Sequence, residues 1–128
     1  ALLQQDFTLA HKESYVEFSE RLTEFLSENE VFDAALNAVV ALHFAKPLMP
    51  KNWMFSSFNS SAISDPVVML QSNLDQASFL VICEENANLV CMLLDEQMEC
   101  ESKQLLQFDL VKVGKSFVQV NTRKRSPL

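Results

Sequence analysis

Glycine is almost missing from this chain: Gly114 is the only one in 128 residues. A Gly-rich phosphate-binding loop is therefore excluded. Lying between Val113 and Lys115, Gly114 reads as a turn that needs a positive φ. Cysteine is scarce as well. Cys83, Cys91 and Cys100 are odd in number and form no C-x-x-C, which fits buried, reduced thiols better than a disulfide framework. Only two histidines occur, His11 at a predicted exposed helix start and His43 inside an apolar helix. No His or Cys stands at ligand spacing and the carboxylates are scattered, so no metal site is expected. A hydrolase needs a nucleophile, a base and an orienting group. With thiols on predicted strands, where cysteines are usually inert packing, no catalytic residues are expected and no cofactor is implied. Long apolar runs are also absent: Ala38–Leu42 and Phe79–Cys83 are far too short to span a bilayer. No signal-peptide pattern is read, and the ALLQQ opening without Met suggests a processed or incomplete copy of a longer protein. Bases are outnumbered by acids, 10 against 17, and the net charge of −7 argues against a nucleic-acid binder.

What the chain does have is enough apolar content, 48%, for a folded domain, and an uneven charge. Residues 1–52 carry eight acids and four bases, residues 53–122 nine and three, and the Arg123-Lys124-Arg125 end is purely basic. That end reads as a disordered, solubilising tail. Tyr15, Phe18, Leu22, Phe25 and Leu26 recur at three- and four-residue spacing among glutamates, which predicts an amphipathic helix over about residues 10–26. Its glutamates read as a solvated face. Ser27 followed by Glu30 is a capping box, so a second helix runs from about Glu28 to Ala45, ended by Pro47. From Ala34 to Ala45 only Asn37 and His43 are polar, and a helix apolar nearly all round must be covered on most sides. The cover is expected from the second half of the chain, from a segment before Ala1, or from another subunit.

After Trp53 the pattern turns to short β-rich runs: Trp53–Ser56, Pro66–Gln71, Ala77–Glu84, Asn88–Leu94, Gln97–Ser102, Phe108–Val113 and Phe117–Asn121. Asn59-Ser60-Ser61 marks a loop, and Glu85-Asn86-Ala87-Asn88 and Gly114-Lys115 mark hairpins. The class is α+β, two helices followed by a twisted, barrel-like antiparallel sheet.

One junction stands out. KPLMPK, residues 46–51, sets two lysines and two prolines between helix and strands of an acidic protein. A structural reading is available, with Lys46 meeting the helix dipole and the prolines stiffening a connector. On the functional reading, Lys46 and Lys51 stand beside Met49 and Trp53 as a small basic, partly apolar patch for an acidic protein surface.

The stretch LNAVVALHFAKPLMPKNWMF resembles the ZapC family of FtsZ-associated cell-division proteins. The shared form is L-N-A-x-V-A-x-x-x-x-K-P-x-M-P-K-x-W-x-F, here Leu36-Asn37-Ala38, Val40-Ala41, Lys46-Pro47, Met49-Pro50-Lys51, Trp53 and Phe55. Weaker similarity runs through Phe79-Leu80-Val81, the Glu85-Asn86-Ala87 turn with Leu89, and the last strands. The resemblance implies that residues 1–52 are the helical part of an N-terminal α/β domain lacking upstream strands. Residues 53–122 would then form a C-terminal twisted β-barrel-like domain, followed by the basic tail 123–128. It also implies a cytoplasmic, non-enzymatic protein at the division septum. Such a protein binds the globular core of FtsZ, bundles its filaments laterally and restrains GTP turnover. Lys46, Met49, Lys51 and Trp53 are the expected contacts. Bundling needs two contacts per unit, and a monomer is slightly favoured over a dimer as their source. Two other readings stay open: a generic α+β interaction domain that takes a peptide along a sheet edge or binds another acidic partner, and, ranked last, a cysteine-dependent enzyme using Cys83, Cys91 or Cys100.

Overall fold

A computed structural model describes residues 8–44, 46–57, 65–101 and 103–120. The Asn59-Ser60-Ser61 loop, Ala45, Ser102 and the Arg123–Arg125 tail lie outside the described residues.

Helix α1 spans Leu9–Leu22 and α2 spans Glu28–Phe44. Each begins on a reciprocal cap. At α2 the predicted box is present: the Ser27 N–H donates to Glu30 Oε1 at 2.9 Å, and the Glu30 N–H donates to Ser27 Oγ at 3.4 Å. At α1 the same motif is built with histidine. The Thr8 N–H donates to His11 Nδ1 at 2.9 Å and the His11 N–H to Thr8 Oγ1 at 3.4 Å. His11 is consequently buried, with its ring 4.4 Å from that of His43, rather than exposed as expected. Helix α1 also stops short of its predicted end. Phe25 and Leu26 lie in a tight turn whose N–H groups both return to the Leu22 carbonyl, which frees Ser27 to cap the next helix.

Among the described residues seven strands follow: β1 Val67–Gln71, β2 Gln76–Glu85, β3 Asn88–Leu93, β4 Gln97–Cys100, β5 Lys103–Leu106, β6 Leu110–Gly114 and β7 Gln119–Val120. Five form one antiparallel sheet in the order β6-β3-β2-β1-β7, and β4 pairs with β5 in a separate hairpin. The α+β class and the order of elements are as expected. The main sheet is open, with β6 and β7 at its edges, rather than closed into a barrel.

The strand period of two sorts the side chains into two cores. Val67, Leu80, Ile82, Val90 and Met92 face the helices and pack on Phe18, Leu22, Ala34, Ala35, Ala38 and Val39. Val68, Leu70, Phe79, Cys91, Leu93 and Val113 face the other way, onto Met98, Cys100 and Leu105 of the β4–β5 hairpin. The sheet is therefore the middle layer of three, which is why β1–β3 are almost continuously buried rather than alternating. Among the described residues the nearly all-apolar α2 packs on α1 and on the sheet, with Phe32 against Tyr15 and Phe44 against His11, yet Phe32, Val40 and Phe44 remain 54%, 51% and 51% exposed.

Several expectations are corrected. Trp53–Ser56 is not a strand: Asn52–Met54 is one turn of 3-10 helix, because Met54 and Phe55 plug the hairpin-side core while Trp53 points outward. Strand β5, absent from the sequence reading, is a short, mostly exposed strand in which only Leu105 is buried. The strand expected at Phe108–Val113 begins instead at Leu110, because Phe108 sits in the preceding turn at φ 73°. Asn86 and Ala87, at φ 50° and 68°, form the predicted hairpin between β2 and β3, as a two-residue turn with both residues left-handed requires.

Gly114 has no positive φ; it is extended at φ −69°, ψ 157°. A Cβ there would meet Asn52 Nδ2 at 3.7 Å and Asn88 Oδ1 at 3.8 Å, ordinary contact distances. Gly114→Ala is thus expected to be neutral or to raise stability by up to about 1 kcal/mol, through the lowered entropy of the unfolded chain. Urea unfolding checks this. A loss above about 2 kcal/mol, beyond the usual range for a compatible site, would show that Asn52 cannot yield.

Candidate partner-binding site

The KPLMPK segment is a strap over the edge of the sheet. Leu48 packs into the helix-side core, while Met54 and Phe55 enter the core on the opposite face. Between them the chain crosses the outer edge of β6. Pro50 forms a parallel bridge with Lys112, and the Lys51 N–H donates to the Lys112 carbonyl at 2.7 Å. Proline suits this crossing because it needs no donor and its φ is already fixed. One step on, Asn52 Oδ1 accepts from the Gly114 N–H at 2.8 Å, tying the 3-10 turn to the end of β6. The prolines therefore do stiffen a connector, and that connector also closes a sheet edge that would otherwise be an open template.

The strap holds its side chains outward. Met49 is 74% and Trp53 68% exposed, although neither is needed for the crossing. Lys51 Nζ lies 6.0 Å from the centre of the Trp53 ring, at the outer range of a cation–π contact. Lys46 is exposed at the head of the strap. Three of the four predicted residues, Met49, Lys51 and Trp53, therefore share one protruding corner, and Lys46 lies just before it in the chain.

Sequence reasoning missed the surroundings of this corner. Lys112 is largely buried and pairs with Glu85 at 2.9 Å; Lys115 pairs with Glu84 at 2.9 Å. Both lysines belong to the strand and turn that carry the strap, and both glutamates to the end of β2. Nothing local in the sequence signals these pairings, which depend on the β3–β6 register that sets Asn88 opposite Gly114.

Elsewhere the surface has the opposite sign. A cleft of about 550 Å³ between the start of α2 and the end of β3 is lined by Glu30, Asp33, Asp95 and Glu96 around Leu94 and Phe108. The thiols are held protonated. Burial pushes Cys91 up to about 12, with Cys83 a lesser contribution. Burial likewise raises Cys83, assisted by Glu85, and raises Cys100. A thiolate nucleophile is disfavoured at all three. Among the described residues no group of three or more His, Cys, Asp or Glu is placed to hold a metal ion, and no helix is long and apolar enough to cross a membrane.

Fold and corner together define a three-layered α+β domain whose acidic body presents one basic, aromatic projection. Residues 47–121, which take in the strap from Pro47 onward and the seven strands described above, match the family model described as cell-division protein ZapC, C-terminal. The chain is 34% identical over 117 residues to a cell division protein ZapC of Photobacterium profundum, covering 86% of this chain and 64% of that protein. Its counterpart in Vibrio vulnificus is 35% identical over 118 residues, covering 88% and 66%. That in Ferrimonas balearica is 32% identical over 112 residues, covering 84% and 63%. The chain belongs to the ZapC family of cell-division proteins. It spans about two thirds of the length of these relatives.

Proposed function

We propose that this protein acts in bacterial cell division without catalysing a reaction, by binding FtsZ at the septum, bundling its filaments laterally and restraining GTP turnover. The observation that carries this reading is the exposed Met49–Lys51–Trp53 corner on a body of net charge −7, in a chain of a cell-division family. An acidic protein approaches an acidic filament against net repulsion, so contact requires a local patch of opposite sign. An exposed indole adds apolar area at small entropic cost, the usual make-up of an interface anchor. Lys46, Met49, Lys51 and Trp53 are the contact residues in this reading. A protein that prefers the polymer over the free subunit shifts assembly toward polymer, and slower subunit exchange lowers GTP turnover. Edge-strand peptide binding gains nothing at β6, where Pro50 and Lys51 already occupy the edge.

The test is light scattering and phosphate release from FtsZ assembling with GTP, with and without the protein. Increased scattering with reduced phosphate release is expected. Unchanged scattering and turnover at equimolar protein in low salt would overturn the proposal.

A further inference from the structure

We infer that the basic surface extends beyond the strap to Lys115, and that Glu84 is an internal competitor for that lysine which weakens the grip on an acidic partner. The inference rests on the reading of the Lys51–Trp53 corner as the contact for a carboxylate-rich protein surface.

The Asn52 side chain receives the Gly114 N–H at 2.8 Å. Trp53 and Lys115 are the residues that follow these two partners, so the strap turn and the turn after β6 are stapled side by side. From there the Lys115 ammonium extends toward Glu84 at the end of β2, and the inferred footprint runs from the Trp53 indole across this turn to that ion pair.

Lys112 keeps only 12% of its side chain exposed, pairs with Glu85, and gives its carbonyl to the Lys51 N–H. It is committed to holding the strap. Lys115 differs: its side chain is 48% exposed and that of its partner Glu84 is 53% exposed, at 2.9 Å. An ion pair between two such exposed groups contributes little to stability, because water and salt serve either ion nearly as well. Glu84 is therefore a weak, readily exchanged partner. An incoming carboxylate can take its place on Lys115, and the attraction between Lys115 and Glu84 is given up each time it does. Glu84 thus sets both the strength and the salt sensitivity of the contact.

The opposite signs of the two substitutions provide the test. Glu84→Gln, Lys115→Gln and the double variant are compared with wild type in two titrations, one against GTP-assembled FtsZ by pelleting and one against poly-L-glutamate by fluorescence anisotropy at low salt. Circular dichroism confirms folding, and Lys115→Arg serves as the charge-keeping variant. Glu84→Gln is expected to tighten both interactions about threefold and Lys115→Gln to weaken both about threefold, a scale set by partly exposed charges. The gain from Glu84→Gln should largely vanish in the Lys115→Gln background, because the glutamate acts through the lysine, and Lys115→Arg, which keeps the charge, should bind more tightly than Lys115→Gln. An equal gain in both backgrounds would reduce Glu84 to general charge and overturn the inference. So would FtsZ binding that is lost in Lys46→Asp/Lys51→Asp but indifferent to residues 84 and 115; the FtsZ reading would then survive alone. The predicted shifts with poly-L-glutamate, without FtsZ binding, would sink the FtsZ reading and keep this one. Binding to neither probe would overturn both.

Discussion

Phe79→Ala is expected to remove a large part of the stability of the domain. Phe79 lies in β2, the middle strand of the five-stranded sheet, with no exposed surface. Its ring meets that of Phe55 edge-to-face, with centroids 6.4 Å apart and planes at 84°. Truncating a buried phenylalanine costs about 3–5 kcal/mol through lost burial and the cavity left behind. A domain of this size has about 5–15 kcal/mol in all, so the variant should unfold at far lower urea or fail to accumulate. Because Phe55 is the residue on which the strap re-enters the core, the cavity should also loosen the Trp53 corner. A urea midpoint shifted by less than the equivalent of about 1 kcal/mol, the size of an ordinary surface change, would contradict the layered core described above.

Trp53→Ala should do the reverse. With 68% of the residue in solvent, its loss should leave stability within about 0.5 kcal/mol of wild type. Binding should suffer heavily. Truncation of a central indole at an interface costs about 2 kcal/mol or more, which is roughly a 30-fold loss of affinity. The effect should exceed that of Met49→Ala, since the indole is the larger apolar surface and lies 6.0 Å from Lys51 Nζ. Parallel urea unfolding and FtsZ pelleting titrations check both halves. Equal affinity together with lost stability would make Trp53 a packing residue and move the contact elsewhere.

Much of this fold was legible because its signals are local. Ser27 and Glu30 announce α2, the Glu85-Asn86-Ala87-Asn88 turn announces the β2–β3 hairpin, and the apolar runs at Val67–Leu70 and Ala77–Ile82 announce central strands. What escaped depends on partners far along the chain. The histidine cap of Thr8 uses an acceptor outside the usual Glu or Gln pattern. Gly114 is extended because it lies against Asn52, 62 residues away. Left-handed backbone in this glycine-poor chain falls on Asn86 and Ala87, in the turn the sequence announces, and also on Phe108, whose N–H donates to the Leu93 carbonyl at 2.8 Å. Trp53-Met54-Phe55 reads as a strand by composition, yet the requirement to cross the β6 edge bends it into a turn. The corner itself was visible because Met49, Lys51 and Trp53 are neighbours in sequence. Lys115 and its competitor Glu84 were not, because only the β3–β6 pairing brings them together.

The decisive experiment is co-sedimentation with GTP-assembled FtsZ, comparing wild type with Lys46→Asp/Lys51→Asp. Both lysines are away from the packed cores, so the double variant should remain folded, which circular dichroism verifies. Reversing two charges at a contact with an acidic surface should lower affinity by more than about tenfold. Wild type should therefore pellet with the filaments and the variant should stay in the supernatant. Equal pelleting of the two would show that the lysines serve only the strap and that the basic corner is not where this protein meets FtsZ.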